Sequence, residues 1–184
     1  MIVGAAQFVE VERMIKITTI QWKTLPAKMP NLINVTAVGL LAGLSFGVQL
    51  GVVPVLNHLS ATSYIVTMQG IIPTFMHAVV PLMFIGLGTF LVRLLWLRSP
   101  CRGMQFWTLI SFGFFLAGAW ITIRGHWPLN NQVIQWQTQN PPPNWEHLRQ
   151  QWSDLNFWRF AVAQLGFLAL LVPFVFGQRW NVER

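Results

Sequence analysis

The chain has 184 residues, of which 54% are hydrophobic and only 9% are charged. Soluble domains carry about 25% charged residues, so this composition excludes an ordinary soluble enzyme and indicates an integral membrane protein of one domain. The formal net charge is +7. Because no basic stripe interleaves with exposed aromatics, we interpret this charge as a topology signal and expect no nucleic-acid partner. A single cysteine, Cys101, excludes an intrachain disulfide and a metal site built from several thiolates.

Residues 1–30 precede the first apolar stretch. Glu10, Glu12 and Arg13 interrupt the apolar residues here, so the segment lacks the continuous core of a signal peptide. Apolar residues at helical spacing favour an interfacial helix, and a loosely ordered tail is equally compatible with the sequence.

Four apolar stretches are long enough to cross a hydrocarbon core, which takes about 20 residues of helix. We therefore predict an all-α fold, a four-helix transmembrane bundle over residues 31–178, with a short tail over 179–184. The predicted spans lie at about 32–56, 71–95, 106–123 and 157–176.

Span one holds glycines at every fourth position. On a helix this spacing places them on one face, where another backbone can approach closely. One interpretation is a dimer seam or a flat wall beside a ligand, and the other is helix packing within the chain. The stripe consists of Gly39, Gly43, Gly47 and Gly51.

Basic residues are unevenly distributed among the connections. They precede span one, follow span four and surround the connection between spans two and three, whereas the connection predicted at 57–69 has no Lys or Arg. By the positive-inside rule both termini are cytoplasmic. The loop 126–152 would then be extracytoplasmic, and in a bacterium the membrane would be the inner membrane.

The most polar part of the chain is residues 126–159. Pro128 suits the first turn of a short helix, Pro141–Pro143 breaks it, and Asn144 is a good N-cap for a new one. The new helix can run from Trp145 through span four, about 45–50 Å at 1.5 Å per residue. Because this exceeds the bilayer core, we predict an extracytoplasmic helical cap between spans three and four.

One face of the new helix combines aromatic, amide and guanidinium groups. An arginine near the hydrocarbon zone is costly unless it is paired or wet. Three interpretations remain open: an interfacial aromatic belt with a snorkelling arginine, a structural clamp, and a ligand site. The stripe consists of Trp145, Arg149, Trp152, Asn156 and Arg159.

All four histidines map to the same predicted side of the membrane. This invites a haem or metal carrier, but none is paired at i,i+4 and no HExxH pattern occurs, so we predict no metal site. His77, between Pro73 and Pro81, is the best placed general base; a helix-to-helix hydrogen bond is the alternative. The histidines are His58, His77, His126 and His147.

Several motifs together resemble the anthrone-oxygenase-like membrane family. They are PLNN at 128–131, the spaced Trp152, Asn156 and Arg159, the Met68-Gln69 pair, and the glycine-rich LLAGLSFGVQLGVVPVL at 40–56. The resemblance covers about residues 32–176. It implies a four-helix membrane protein that oxidises anthrones to anthraquinones with molecular oxygen and without a bound cofactor.

Such a reaction needs a base, a donor for the enolate oxygen and an aromatic-lined pocket. From the resemblance and the residue chemistry we expect His77, Arg159 and Asn156 to be catalytic. We also expect the substrate to be bound by Asn130, Asn131, Trp127 and Trp152.

A different class of function is also compatible with the sequence. The glycine stripe and the N-terminal arm favour a non-enzymatic accessory subunit of a larger membrane complex. The expected partners are therefore membrane lipid, a lipophilic small molecule, and either further copies of this chain or other membrane subunits.

Overall fold

A computed structural model of the chain describes residues 29–95 and 102–176. Four helices cover nearly all of these residues, and each is long and apolar enough to cross a membrane, which confirms the predicted all-α four-helix transmembrane bundle. The tail predicted for 1–30, apart from its last two residues, and the tail 179–184 lie outside the described residues, as does Cys101. The helices are α1 Met29–Asn57, α2 Ala61–Leu95, α3 Arg102–Gln135 and α4 Trp145–Phe176.

The outward surface of the bundle is apolar. Large hydrophobic side chains are exposed along all four helices, which is the arrangement expected where lipid replaces water as the solvent. Among the most exposed are Leu32, Phe84, Leu95, Trp120, Trp158 and Val175.

The connection between α1 and α2 is much shorter than predicted. The sequence suggested a connection over 57–69, but α2 already begins at Ala61, so that expectation is wrong for residues 61–69. These residues form the first turns of α2 because Tyr64, Ile65 and Met68 recur at helical spacing and are fully buried against the other helices.

Two helices contain a π-helical segment, Val48–Val52 in α1 and Ile121–His126 in α3. The second one runs directly into Trp127–Gln135, so the helix predicted to begin at Pro128 is a continuation of α3 and not a separate element. π-Helical turns are rare and often lie at functional sites.

The connection 136–144 is held against the start of α2. Gln69 donates from one amide nitrogen towards the carbonyls of Val133, Ile134 and Trp136, at 3.1, 3.2 and 2.9 Å. These carbonyls lie at the C-terminal end of α3, where the last carbonyls of a helix lack the usual intrahelical donor; that of Val133 also accepts from Trp136 N at 3.2 Å. The prolines that follow end the connection, and α4 begins at Trp145 as predicted.

The bundle has two packed cores, one towards each end. We call the end with the connections 58–60 and 136–144 the loop end, and the opposite end, where α1 and α3 begin, the terminal end. The larger core lies at the loop end and includes Tyr64, Met68 and Trp152. The smaller one, around Phe90 and Leu170, lies at the terminal end.

Beside the smaller core Arg93 is buried and donates to Asn34 Oδ1 and Thr108 Oγ1, both at 3.0 Å. This network joins α1, α2 and α3 at the terminal end. Its hydrogen-bond acceptors are neutral side chains.

Candidate active site

A cavity of about 120 Å³ lies inside the bundle and is lined by residues of all four helices. One buried water needs roughly 10–15 Å³, so the space suits a ligand of many atoms. Ligand sites in helical bundles are commonly built in this way, from side chains on facing helices.

The polar lining of the cavity is concentrated towards the loop end. Here α3 contributes His126 and Asn130, and α4 contributes Trp152 and Arg159. Further from the loop end the walls are formed mainly by aliphatic, aromatic and glycine residues.

His126 is the least satisfied polar side chain of this lining. It is 1% exposed, and neither Nδ1 nor Nε2 has a hydrogen-bond partner among the described residues. Its ring meets Trp152 edge-on, with centroids 5.4 Å apart and planes at 75°. A neutral imidazole always offers one nitrogen as an acceptor, so His126 can accept a hydrogen bond from a ligand in the cavity.

Arg159 brings a positive charge to the same cavity. It donates from Nη2 to Asn156 Oδ1, and its buried Nε has no partner among the described residues. The carboxylates of the described ranges belong to Glu146 and Asp154, and both residues are exposed. The guanidinium therefore retains donor capacity for a ligand oxygen, above all one that carries negative charge.

Asn156 holds Arg159 in position through a short relay. The side chain of Asn156 is fully buried, and its Nδ2 donates to Gln49 Oε1 at 2.7 Å. This bond fixes the amide so that Oδ1 faces Arg159. Gln49 lies in the π-helical segment of α1, so the relay ties the geometry of the site to that segment.

The two motifs of the polar stretch meet at the loop end of the cavity. Trp152 donates from Nε1 to Asn130 Oδ1 at 3.1 Å. The bond joins α3 to α4 and orients the indole ring that packs on His126.

Not all of the predicted site residues reach the cavity. His77 is exposed, its Nδ1 lies 2.7 Å from the Pro73 carbonyl oxygen, and it does not line the cavity. Trp127 and Asn131 are exposed as well. The structure thus brings Asn130, Trp152, Asn156 and Arg159 together and leaves the other three predicted residues outside.

The remainder of the predicted stripe on α4 is anchored to the α1–α2 connection. Trp145 packs on Tyr64 with ring centroids 5.9 Å apart. Arg149 lies over the Trp145 ring at 4.7 Å and donates to the Leu59 carbonyl at 3.2 Å. Trp145 and Arg149 therefore act as a structural clamp, whereas Trp152 and Arg159 line the cavity.

The histidines do not form a common cluster. His58, His77 and His147 are exposed, and only His126 is buried. Within the described ranges no group of three or more His, Cys, Asp or Glu residues could hold a metal ion.

The glycines of α1 divide into two groups. A Cβ added at Gly39 would lie 3.0 Å from the Phe167 ring, so this glycine permits close packing of α1 on α4. A Cβ at Gly43, Gly47 or Gly51 would meet nothing within 4 Å. These three glycines face away from the other described helices.

Two residues of the site are absent from the set that the sequence predicted. His126 was one histidine among four, and its only sequence signal was its position directly before the WPLNN segment. Gln49 was recognisable as a polar residue at membrane depth, a position that normally faces protein or a cavity. Neither signal shows which residues the side chain contacts in the fold.

Comparison with known proteins supplies the family. The family model described as anthrone oxygenase matches residues 72–169. No curated protein and no solved structure matches the chain. The matched segment covers more than half of the 184 residues and includes His126, Asn130, Trp152 and Arg159. The chain therefore belongs to the anthrone oxygenase family.

Proposed function

We propose that this protein is a membrane oxygenase that oxidises a phenolic or quinone-like lipophilic substrate with molecular oxygen and without a bound cofactor. The observation that carries the proposal is the buried, unpartnered imidazole of His126 in a cavity that also holds the Arg159 guanidinium. A base and an oxyanion donor are the two groups that such a reaction requires of the protein.

With an anthrone as substrate, the first step is a proton transfer. His126 removes a proton from the methylene carbon, and the electron pair of the broken C–H bond enters the ring system as an enolate. Arg159 stabilises the negative charge on the enolate oxygen, with Asn156 and Gln49 holding its guanidinium in place.

The electron-rich enolate then reacts with oxygen itself. Electron transfer to oxygen and formation of a C–O bond give a peroxide anion, which takes the proton from His126. Loss of the second methylene proton to His126 and cleavage of the O–O bond leave a quinone carbonyl. The departing hydroxide takes that proton and leaves as water, so one oxygen atom enters the product and the other is reduced to water.

Replacement of the proposed base provides the test. The full chain in lipid nanodiscs would be supplied with an anthrone, and oxygen uptake and quinone absorbance would be followed against protein-free nanodiscs. We expect His126→Leu to lower the rate by about 10²–10⁴-fold, the range of general-base catalysis.

His77→Leu is the matched control, because His77 is exposed and outside the cavity. Its rate should equal that of the unaltered chain. Equal rates for His126→Leu and His77→Leu would exclude His126 as the base.

The open glycine face favours a second candidate, an accessory subunit of a larger membrane complex. Gly43 has nothing within 4 Å of an added Cβ, so a larger side chain there leaves the isolated fold intact. If this face binds other subunits, Gly43→Leu will release them during native purification in mild detergent. If the unaltered chain and the Gly43→Leu variant purify as particles of the same size, the accessory role is contradicted.

A further inference from the structure

The cavity is long relative to its volume. On α4 its lining runs from Trp152 to Gly166, which is about 21 Å at 1.5 Å per residue. The hydrocarbon core is about 30 Å thick, so the length of the cavity equals roughly two-thirds of that thickness. A volume of about 120 Å³ along such a length describes a narrow channel and not a compact chamber.

The section of the cavity towards the terminal end is mainly apolar. Its walls include Val38 of α1, Met83 of α2 and Val162 of α4. Ser111 also lines this section, but its hydroxyl donates to the Gly166 carbonyl at 2.8 Å. Apart from Ser45 of α1, the described lining residues here offer no side-chain group suited to binding a second polar group of a ligand.

Small residues keep this apolar section open. Ala163 places little side-chain volume on the α4 wall, and Gly118 adds none on the α3 wall. Gly166, at the far end of the lining, packs closely on α3, where an added Cβ would lie 3.0 Å from Phe114 Cβ. A Cβ at Gly118 would meet Val162 at 3.5 Å, an ordinary van der Waals distance, so neighbouring side chains do not require glycine at this position. Because Gly118 has no side chain, this part of the cavity stays free for a ligand.

We infer that the substrate carries a hydrocarbon tail: a phenol or quinol whose ring oxygen binds at Arg159 and whose tail lies along the apolar section towards Val38 and Gly166. This inference rests on the proposed function and adds the substrate class. A ring system without a tail fills the polar section and leaves the apolar one empty. Because the surrounding lipid is as apolar as these walls, the tail orients the ring more than it strengthens binding.

Photo-crosslinking can map the orientation directly. Two derivatives of para-octylphenol would be added to the full chain in lipid nanodiscs, one with a diazirine at the end of the tail and one with a diazirine beside the ring. We expect the tail-end probe to label the segments around Val38 and Ser111, and the ring-side probe to label those around Ile72 and Trp152. Excess para-octylphenol should suppress both.

A variant that fills the apolar section supplies the second measurement. Ala163→Phe should reduce labelling by the tail-end probe at least tenfold, whereas para-cresol should still compete with the ring-side probe. Leu165→Phe is the matched control, since Leu165 is exposed on the outer face of the same helix; its labelling should be unchanged. If Ala163→Phe does not fold, the labelling pattern of the unaltered chain alone tests where the tail lies.

The outcomes separate the two proposals. Labelling of the apolar section that para-octylphenol does not suppress, or the same segments labelled by both probes, would overturn the inference about the tail. Failure of para-cresol to compete with the ring-side probe in the unaltered chain would overturn the phenol site itself, and with it the proposed function.

Discussion

His126 is buried, and neither of its ring nitrogens makes a well-oriented hydrogen bond within the described residues, although the Leu155 backbone lies beside the ring. A buried polar group without a hydrogen bond costs about 1–3 kcal/mol of stability. Leucine has a similar volume and no such cost. A protein that needs only packing at this position would be better served by the aliphatic side chain, so the imidazole indicates a role in binding or chemistry.

His126→Leu is therefore expected to have opposite effects on stability and on oxidation. The free energy of unfolding should stay equal or rise by about 1 kcal/mol, because the unsatisfied nitrogens are removed, while oxidation of the substrate is lost. Unfolding of the purified protein by a denaturing detergent measures the first quantity and oxygen uptake the second. A clear loss of stability would instead indicate a structural histidine.

Arg159→Met tests the oxyanion donor. Loss of one preorganised donor lowers turnover by about 10²–10³-fold in comparable sites, and we expect an effect of that size in steady-state oxidation. Arg149→Met is the control, because Arg149 binds the Leu59 carbonyl and the Trp145 ring at the clamp. That variant should lose stability but retain turnover per folded molecule; equal turnover of the two variants would exclude Arg159 from the chemistry.

The sequence identified the chemistry of α4 more completely than that of α2. Trp152, Asn156 and Arg159 were predicted because a regular helix places them on one face, and α4 is regular there. His77 was favoured because two prolines bracket it, yet proline changes the local backbone without fixing which face reaches the interior. His126 ends a π-helical segment, and such a segment shifts the facing of side chains in a way that helical periodicity does not predict.

At the scale of the helices, composition sufficed to predict four spans but not their full lengths. Charge-free apolar runs define the part of a helix that lies in hydrocarbon. They do not show that α2 extends back to Ala61 or that α3 continues through the π-helical segment to Gln135. Those extensions depend on packing between helices, as the Gln69 contacts with the end of α3 illustrate.

Gln69 is therefore predicted to hold the loop end together. Gln69→Leu removes the donor that serves three carbonyls at the end of α3, and each net hydrogen bond contributes about 0.5–1.5 kcal/mol. We expect unfolding to become easier by about 1–3 kcal/mol and amide hydrogen exchange in 133–140 to accelerate. Gln150→Leu, which removes an exposed bond to Asp154, should change stability by less than about 0.5 kcal/mol.

On the scale of the whole molecule, the two cores and the cavity between them form one arrangement. The loop-end core and its hydrogen bonds fix the polar side chains, and the Arg93 network joins three helices at the terminal end. The section between them is lined mainly by small, aliphatic and aromatic residues from all four helices. A polar end that continues into an apolar section suits the lipophilic substrate that we propose.

The orientation of this arrangement in the membrane can be tested with the chain's single cysteine. Cys101 directly precedes α3, and the uneven distribution of basic residues predicts that this end faces the cytoplasm. A membrane-impermeant maleimide should therefore label the protein only after cells are lysed. In the double variant Cys101→Ser, Asn140→Cys the thiol lies in the exposed connection at the loop end, so intact cells with a permeabilised outer envelope should be labelled. The reverse pattern would place the polar end of the cavity on the cytoplasmic side, and the substrate would then have to bind with its ring towards the cytoplasm.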